Sequence, residues 1–157
     1  MDSPVAAPPS AERLAAVETI ARELLPRTSL IARLLLRRTS SGLSRAEAGV
    51  LSALTERPMR VTELAASQAL AQPTVTQLVA RLAERGLAER GRDPQDGRAV
   101  LVSVTPAGRD ALEELRRAYR ALLRDQLAAH PDEDVLALAA ATELIQSIID
   151  ALQADVP

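Results

Sequence analysis

Residues 63–104 set local signals so close together that few folds can accept them. A short helix is expected at about 63–69, capped by Thr62, with Leu64 and Ala65 facing inward. After a turn, Pro73 suits the first turn of a second helix over about 72–85. Val75, Leu78, Val79 and Leu82 give that helix one apolar stripe at the 3.6-residue period. Gly86 stands where a left-handed C-terminal cap belongs. Residues 87–90 (LAER) and 99–104 (AVLVSV) then read as two short strands, joined by the charged, turn-rich GRDPQDGR. Two short helices, a tight turn and a two-stranded hairpin in this order make a winged helix-turn-helix.

The flanks read as helix. Ser10 caps a first helix carrying Leu14, Val17, Ala21, Leu24 and Leu25, which Pro26 is expected to kink or break before Leu30, Ile31, Leu34 and Leu35 continue the stripe. Ser44 and Glu47 have the spacing of a capping box for a helix that buries Val50, Leu51 and Leu54 and stops at Arg57-Pro58. Thr105-Pro106 opens a long helix to about Ala129, with Leu112, Leu115, Tyr119 and Leu122 inward. Asp132 is expected to cap a last helix at about 133–153, where Leu138, Ala141, Ile145, Ile148 and Leu152 form a seam suited to packing on other helices. The expected class is mainly α with a small β-hairpin wing. Its organisation is a disordered tail at 1–9, an N-terminal dimerisation helix region at 10–42, a winged helix-turn-helix at 43–106, C-terminal dimerisation helices at 107–153 and a tail at 154–157.

Composition narrows the chemistry. There is no cysteine and one histidine, which excludes thiolate metal sites, cysteine nucleophiles and disulfides. Acids fall on expected exposed faces rather than paired in a cleft, so an enzyme is not expected and no cofactor is implied. Tyr119 is the sole aromatic residue, which argues against a single-strand binder that stacks bases. No uninterrupted apolar run reaches membrane-spanning length and the first ten residues do not resemble a signal peptide, so no membrane partner and a cytoplasmic location are the expectation. The net charge of −2 hides an asymmetry: residues 57–109 carry eight arginines against five acids, and residues 110–157 carry four against ten. Only the middle of the chain suits a polyanion.

On the second helix, the side away from the apolar stripe presents Pro73, Gln77, Ala80 and Glu84, flanked by Thr74, Thr76 and Arg81. Small hydroxyls, an amide and an arginine fit the major groove: Gln pairs bidentately with adenine, Thr reaches base or phosphate, Arg takes guanine or phosphate. In the hairpin, Arg90, Arg92 and Arg98 lie within or at the base of the loop. An arginine at its tip suits the narrow, electronegative minor groove, and Asp96 stands where it can fix the direction of Arg98. A charged Asp-Pro-Gln-Asp-Gly loop alone is an ordinary solvated turn. Helix pair and basic hairpin together, in order, point to double-stranded DNA.

These residues resemble the MarR family of bacterial transcription regulators. The resemblance is carried by residues 61–112, through Thr74-Val75-Thr76, Leu78-Val79, Arg81-Leu82, Gly86-Leu87, Glu89-Arg90, Asp96-Gly97-Arg98 and Val104-Thr105-Pro106-Ala107-Gly108. It implies a homodimer with intertwined terminal helices on a pseudo-palindromic operator, one winged helix per half-site, and repression relieved by a small aromatic or phenolic effector. DNA contacts carried over fall on Thr74, Thr76, Gln77 and Arg81, and on Arg98 of the wing with Asp96 in support; Arg92 joins the expected contacts from the basic hairpin itself. The chain departs from the pattern at Ala71, where a serine often caps the recognition helix. It departs again at Gln77, Ala80 and Ala48, where basic, acidic and aromatic residues are common. Tyr119 could meet an effector or simply pack. The alternative reading is a winged-helix adaptor that contacts protein and no longer binds DNA.

Overall fold

The computed structural model describes residues 10–39, 42–92 and 100–154. Residues 1–9, 40–41, 93–99 and 155–157, with the expected N-terminal tail and the expected wing tip, lie outside the described residues. The chain divides into two compact units, one ending at Leu115 and the other beginning at Arg116.

Helix α1 spans Ala11–Arg38. The Ser10 hydroxyl accepts from the Arg13 N–H at 3.2 Å and closes its start. The helix continues through Pro26, correcting the expected break. Proline removes one N–H donor, the partner of the Arg22 carbonyl, and Arg22 is exposed, so water can serve that oxygen. The Thr28 hydroxyl adds a bond of 2.9 Å to the Leu24 carbonyl one turn back. Several helical turns on either side hold the segment together. No residue of α1 is buried, and Leu14, Val17, Ile20 and Leu25 are each more than half exposed.

Helix α2 spans Arg45–Glu56 and starts with the expected capping box. The Ser44 hydroxyl accepts from the Glu47 N–H at 3.2 Å, and the Glu47 carboxylate accepts from the Ser44 N–H at 2.8 Å. A two-residue strand that the sequence does not signal, β1 (Met59–Arg60), follows. With β2 (Ala88–Arg92) and β3 (Val100–Val104) it makes an antiparallel sheet of order β1-β3-β2, Met59 opposite Val102. The hairpin therefore has a third strand. That strand also moves the start of α3 (Val61–Ser67) forward. Thr62 lies inside the first turn, not at the cap, and the end is closed by the Glu63 carboxylate accepting from the Arg60 N–H at 2.6 Å.

Helices α3 and α4 (Gln72–Glu84) end in the same way. After α3, the Ala69 N–H donates to the Ala66 carbonyl at 3.1 Å and the Leu70 N–H to Ala65 at 3.0 Å. After α4, Gly86 donates to Ala83 at 2.9 Å and Leu87 to Leu82 at 2.8 Å. Each closure needs one left-handed residue, and these are Ala69 (φ 50) and Gly86 (φ 69). The core lies where α2, α3, α4 and the sheet meet, with Val50, Leu51, Leu54, Leu64, Val75, Val79, Leu82 and Val102 sealed from water. Each such side chain contributes about 1.5–3 kcal/mol of burial.

The start of helix α5 (Pro106–Leu127) is tied to the turn that follows α4 by Thr105. The Thr105 hydroxyl donates to the Gly86 carbonyl at 2.7 Å and accepts from the Gly108 N–H at 3.0 Å. A Cβ at Gly108 would run into the Leu87 carbonyl and the Val104 side chain, so only hydrogen fits there. Leu112 and Leu115 are buried, while Tyr119 and Leu122 are half-buried. Helix α6 spans Asp132–Ala154, with Asp132, Glu133 and Asp134 in its first turn, where the helix dipole favours acids. Asp132 thus begins the helix and does not precede it as a cap. No residue of α6 is buried. By length and composition alone α6 is apolar enough to cross a bilayer, although it holds no uninterrupted apolar run of that length. Glu143, near its middle, is a charge that a spanning helix would have to hold in hydrocarbon and that here is exposed.

Candidate nucleic-acid interface

Helix α4 buries Val75, Leu78, Val79 and Leu82 and exposes Thr74, Thr76, Gln77 and Arg81. The two faces follow from one period: the residues between stripe positions must point away from the core. No side chain caps α4 at Ala71, so its first N–H groups have no side-chain acceptor there. The Thr76 hydroxyl donates to the Gln72 carbonyl at 2.9 Å, which occupies its proton and leaves its lone pairs outward. Thr74 and Gln77 make no side-chain hydrogen bond to another described residue.

Arg90, expected within or at the base of the hairpin loop, lies on β2 and turns back to the helix. Its Nη2 donates to the Thr76 carbonyl at 3.3 Å, which latches β2 to α4. Arg92 is exposed at the end of β2, opposite Val100. Asp96 and Arg98, expected at the wing tip, lie outside the described residues. Beside the first turn of α4 an open cleft of about 370 Å³ is lined by Arg60, Val61, Thr62, Gln72, Thr76 and Val100. Its one guanidinium, two hydroxyls and amide suit a sugar-phosphate edge.

Glu47 has a second use that its spacing does not reveal. Beyond capping α2, its Oε1 lies 3.6 Å from Nε of Arg81 on α4 and 3.6 Å from Nη1 of Arg85, the residue that ends α4. Burial raises the Glu47 carboxyl pKa. The Ser44 backbone N–H, the Ser44 hydroxyl and the charges of Arg85 and Arg81 more than offset this and hold it below its ordinary value. A capping-box acid is usually solvated, and nothing local distinguishes one that faces a distant arginine pair. Glu63 is also lowered, first by the Arg60 N–H and then by Arg57, whose Nη2 is 2.8 Å from its carboxylate.

With the geometry in place, the likenesses to known proteins are specific. The sequence profile of the MarR family matches residues 41–99. An HTH-type transcriptional regulator of Mycobacterium bovis is 32% identical over 115 residues, covering 73% of this chain and 80% of that protein. A MarR family protein from Bacillus stearothermophilus shares the fold, with a TM-score of 0.68 at 22% identity over 91% of this chain and 99% of that one. BpsR of Bordetella bronchiseptica, whose DNA binding is regulated by 6-hydroxynicotinic acid, is 25% identical with a TM-score of 0.55, over 83% of this chain and 98% of its own.

Proposed function

The chain belongs to the MarR family of DNA-binding, winged-helix transcription regulators, and from that premise we propose that it is a ligand-responsive repressor acting as a homodimer on a pseudo-palindromic operator. The observation that carries this reading is one exposed face of α4. Thr74, Thr76, Gln77 and Arg81 stand opposite the buried stripe, and the strand that leads to the wing is latched to the same helix by Arg90. Gln77 and the threonines read base edges; Arg81 and Arg92 take phosphate or guanine; Arg98, oriented by Asp96, reaches the minor groove. The uncapped start of α4 leaves N–H groups for a phosphate.

Dimerisation has its own support. Leu14, Val17 and Ile20 on α1 and Leu138, Leu144 and Leu152 on α6 are each about half exposed or more, and apolar rows of that size are covered in stable proteins. Regulation by a small aromatic effector is supported by BpsR, whose DNA binding responds to 6-hydroxynicotinic acid.

Selection of duplexes from a randomised library tests the proposal. Recovered sequences should share an inverted repeat with half-sites about one helical turn apart. Their affinity should fall with salt, and Arg98→Ala should flatten that dependence by about one unit for each phosphate it no longer neutralises. Gln77→Ala should change which base is preferred. A chain that recovers no duplex is the adaptor, and this reading fails.

A further inference from the structure

The geometry points to Glu47 as the positioning residue that gives Arg81 its sequence discrimination. This rests on the proposed groove-facing role of α4. Arg81 is the one candidate reading residue whose guanidinium has a protein partner among the described residues, and that partner is nearly buried. The Glu47 side chain is 8% exposed and that of Arg81 is 53% exposed. The 3.6 Å separation from Nε is long for a hydrogen bond and short for charge attraction.

Glu47 cannot follow a moving arginine. Its Oε2 is fixed by the Ser44 N–H at 2.8 Å, and its Oε1 is shared with Arg85, the C-cap residue of α4. The carboxylate is thus held from two helices, and Arg81 meets a stationary charge. A guanidinium drawn to such an anchor through Nε still offers both Nη groups outward, in a plane with a set direction. A flexible arginine attracts any phosphate. One with a fixed plane favours the acceptor pair that lies in that plane, and discrimination follows from the orientation rather than from the charge.

The test uses the intact protein and two probes: a duplex recovered from the randomised library and a scrambled duplex of equal length. Glu47→Gln keeps the capping geometry, because an amide oxygen still accepts from the Ser44 N–H, and removes the charge that holds Arg81. The ratio of selected to scrambled affinity should fall about tenfold, within the discrimination of one oriented base contact, while scrambled-duplex affinity holds or rises. In an Arg81→Ala background the same change should have no further effect on the ratio. Arg81→Lys, on an exposed site that tolerates substitution, should keep the salt dependence and lose the ratio to a similar extent. A merely structural Glu47 would shift both affinities together with thermal stability and leave the ratio intact. An unchanged ratio in Glu47→Gln, full additivity with Arg81→Ala, or retained discrimination in Arg81→Lys overturns the inference. Wild-type protein that recovers no duplex overturns the DNA reading itself, and the two failures are distinct.

Discussion

The Arg90 guanidinium is hydrogen-bonded to the main-chain carbonyl of Thr76, with Nη2 to O at 3.3 Å, and so joins β2 to the second turn of α4. The bond fixes the strand leading to the wing against the helix whose outer face carries the candidate reading residues. Thr105 does the same from the other end of the hairpin, bonding the Gly86 carbonyl at 2.7 Å. The two bonds make α4 and the strands one piece, which a reader of two adjacent grooves requires.

Arg90→Ala should separate binding from stability. An exposed hydrogen bond of this length contributes no more than about 1 kcal/mol to folding. Thermal unfolding should therefore change little, whereas affinity for a selected duplex should fall at least about fivefold as β2 loses its fixed position. Amide exchange in β2 should quicken in the same variant. Unchanged affinity would show that the latch is dispensable.

What is legible in the sequence is local. The stripe Val75, Leu78, Val79 and Leu82 and the Ser44–Glu47 box are set by spacings of three and four, which sequence displays directly. The outward set Thr74, Thr76, Gln77 and Arg81 follows from the same period. β1 is hidden because two residues carry no periodicity, and Met59 is a strand only through Val102. Pro26 does not break α1 because one missing hydrogen bond is outweighed by the helix on both sides. The Arg90 latch is not legible because its acceptor is a backbone carbonyl, which every residue has. Glu47 reads as a cap alone because its arginines come from a distant part of the chain.

The acid limb of stability should depend on Glu47. Its folded pKa is depressed, so its contribution is complete above the ordinary carboxylate value near 4.5 and is lost as pH falls through the folded value. Glu63 acts in the same direction. Urea unfolding at a series of pH values should show a shallower loss below about pH 4.5 in Glu47→Gln than in wild type. A wild-type slope in the variant would mean that the Glu47 carboxyl titrates alike in the folded and the unfolded chain.

Ala69 is a correctable cost. It holds the left-handed position after α3 that Gly86 holds after α4, and an alanine there carries about 1 kcal/mol of steric strain. Ala69→Gly relieves that strain and adds unfolded-state entropy, for a net gain of up to about 0.5 kcal/mol. Gly86→Ala should lose about 1 kcal/mol, because it introduces the strain that Ala69 already bears. Opposite signs in paired thermal melts would establish the equivalence of the two turns, and equal signs would refute it.

Ile148 on α6 separates the fold of the chain from its association. The residue is 42% exposed in the single chain, within the seam that also carries Leu138 and Leu152. A charge there meets water in a monomer, so Ile148→Glu should alter the unfolding of an isolated chain by less than about 0.5 kcal/mol. In a dimer that buries the seam, the same carboxylate would be desolvated against apolar side chains at a cost of several kcal/mol. The mass in solution should then fall toward that of one chain at concentrations where wild type is paired, as read by sedimentation velocity over a dilution series. Duplex affinity should fall with it, because the proposed pseudo-palindromic site would gain its second half only through the partner. If Ile148→Glu sediments as wild type does, the seam of α6 is not where two chains meet.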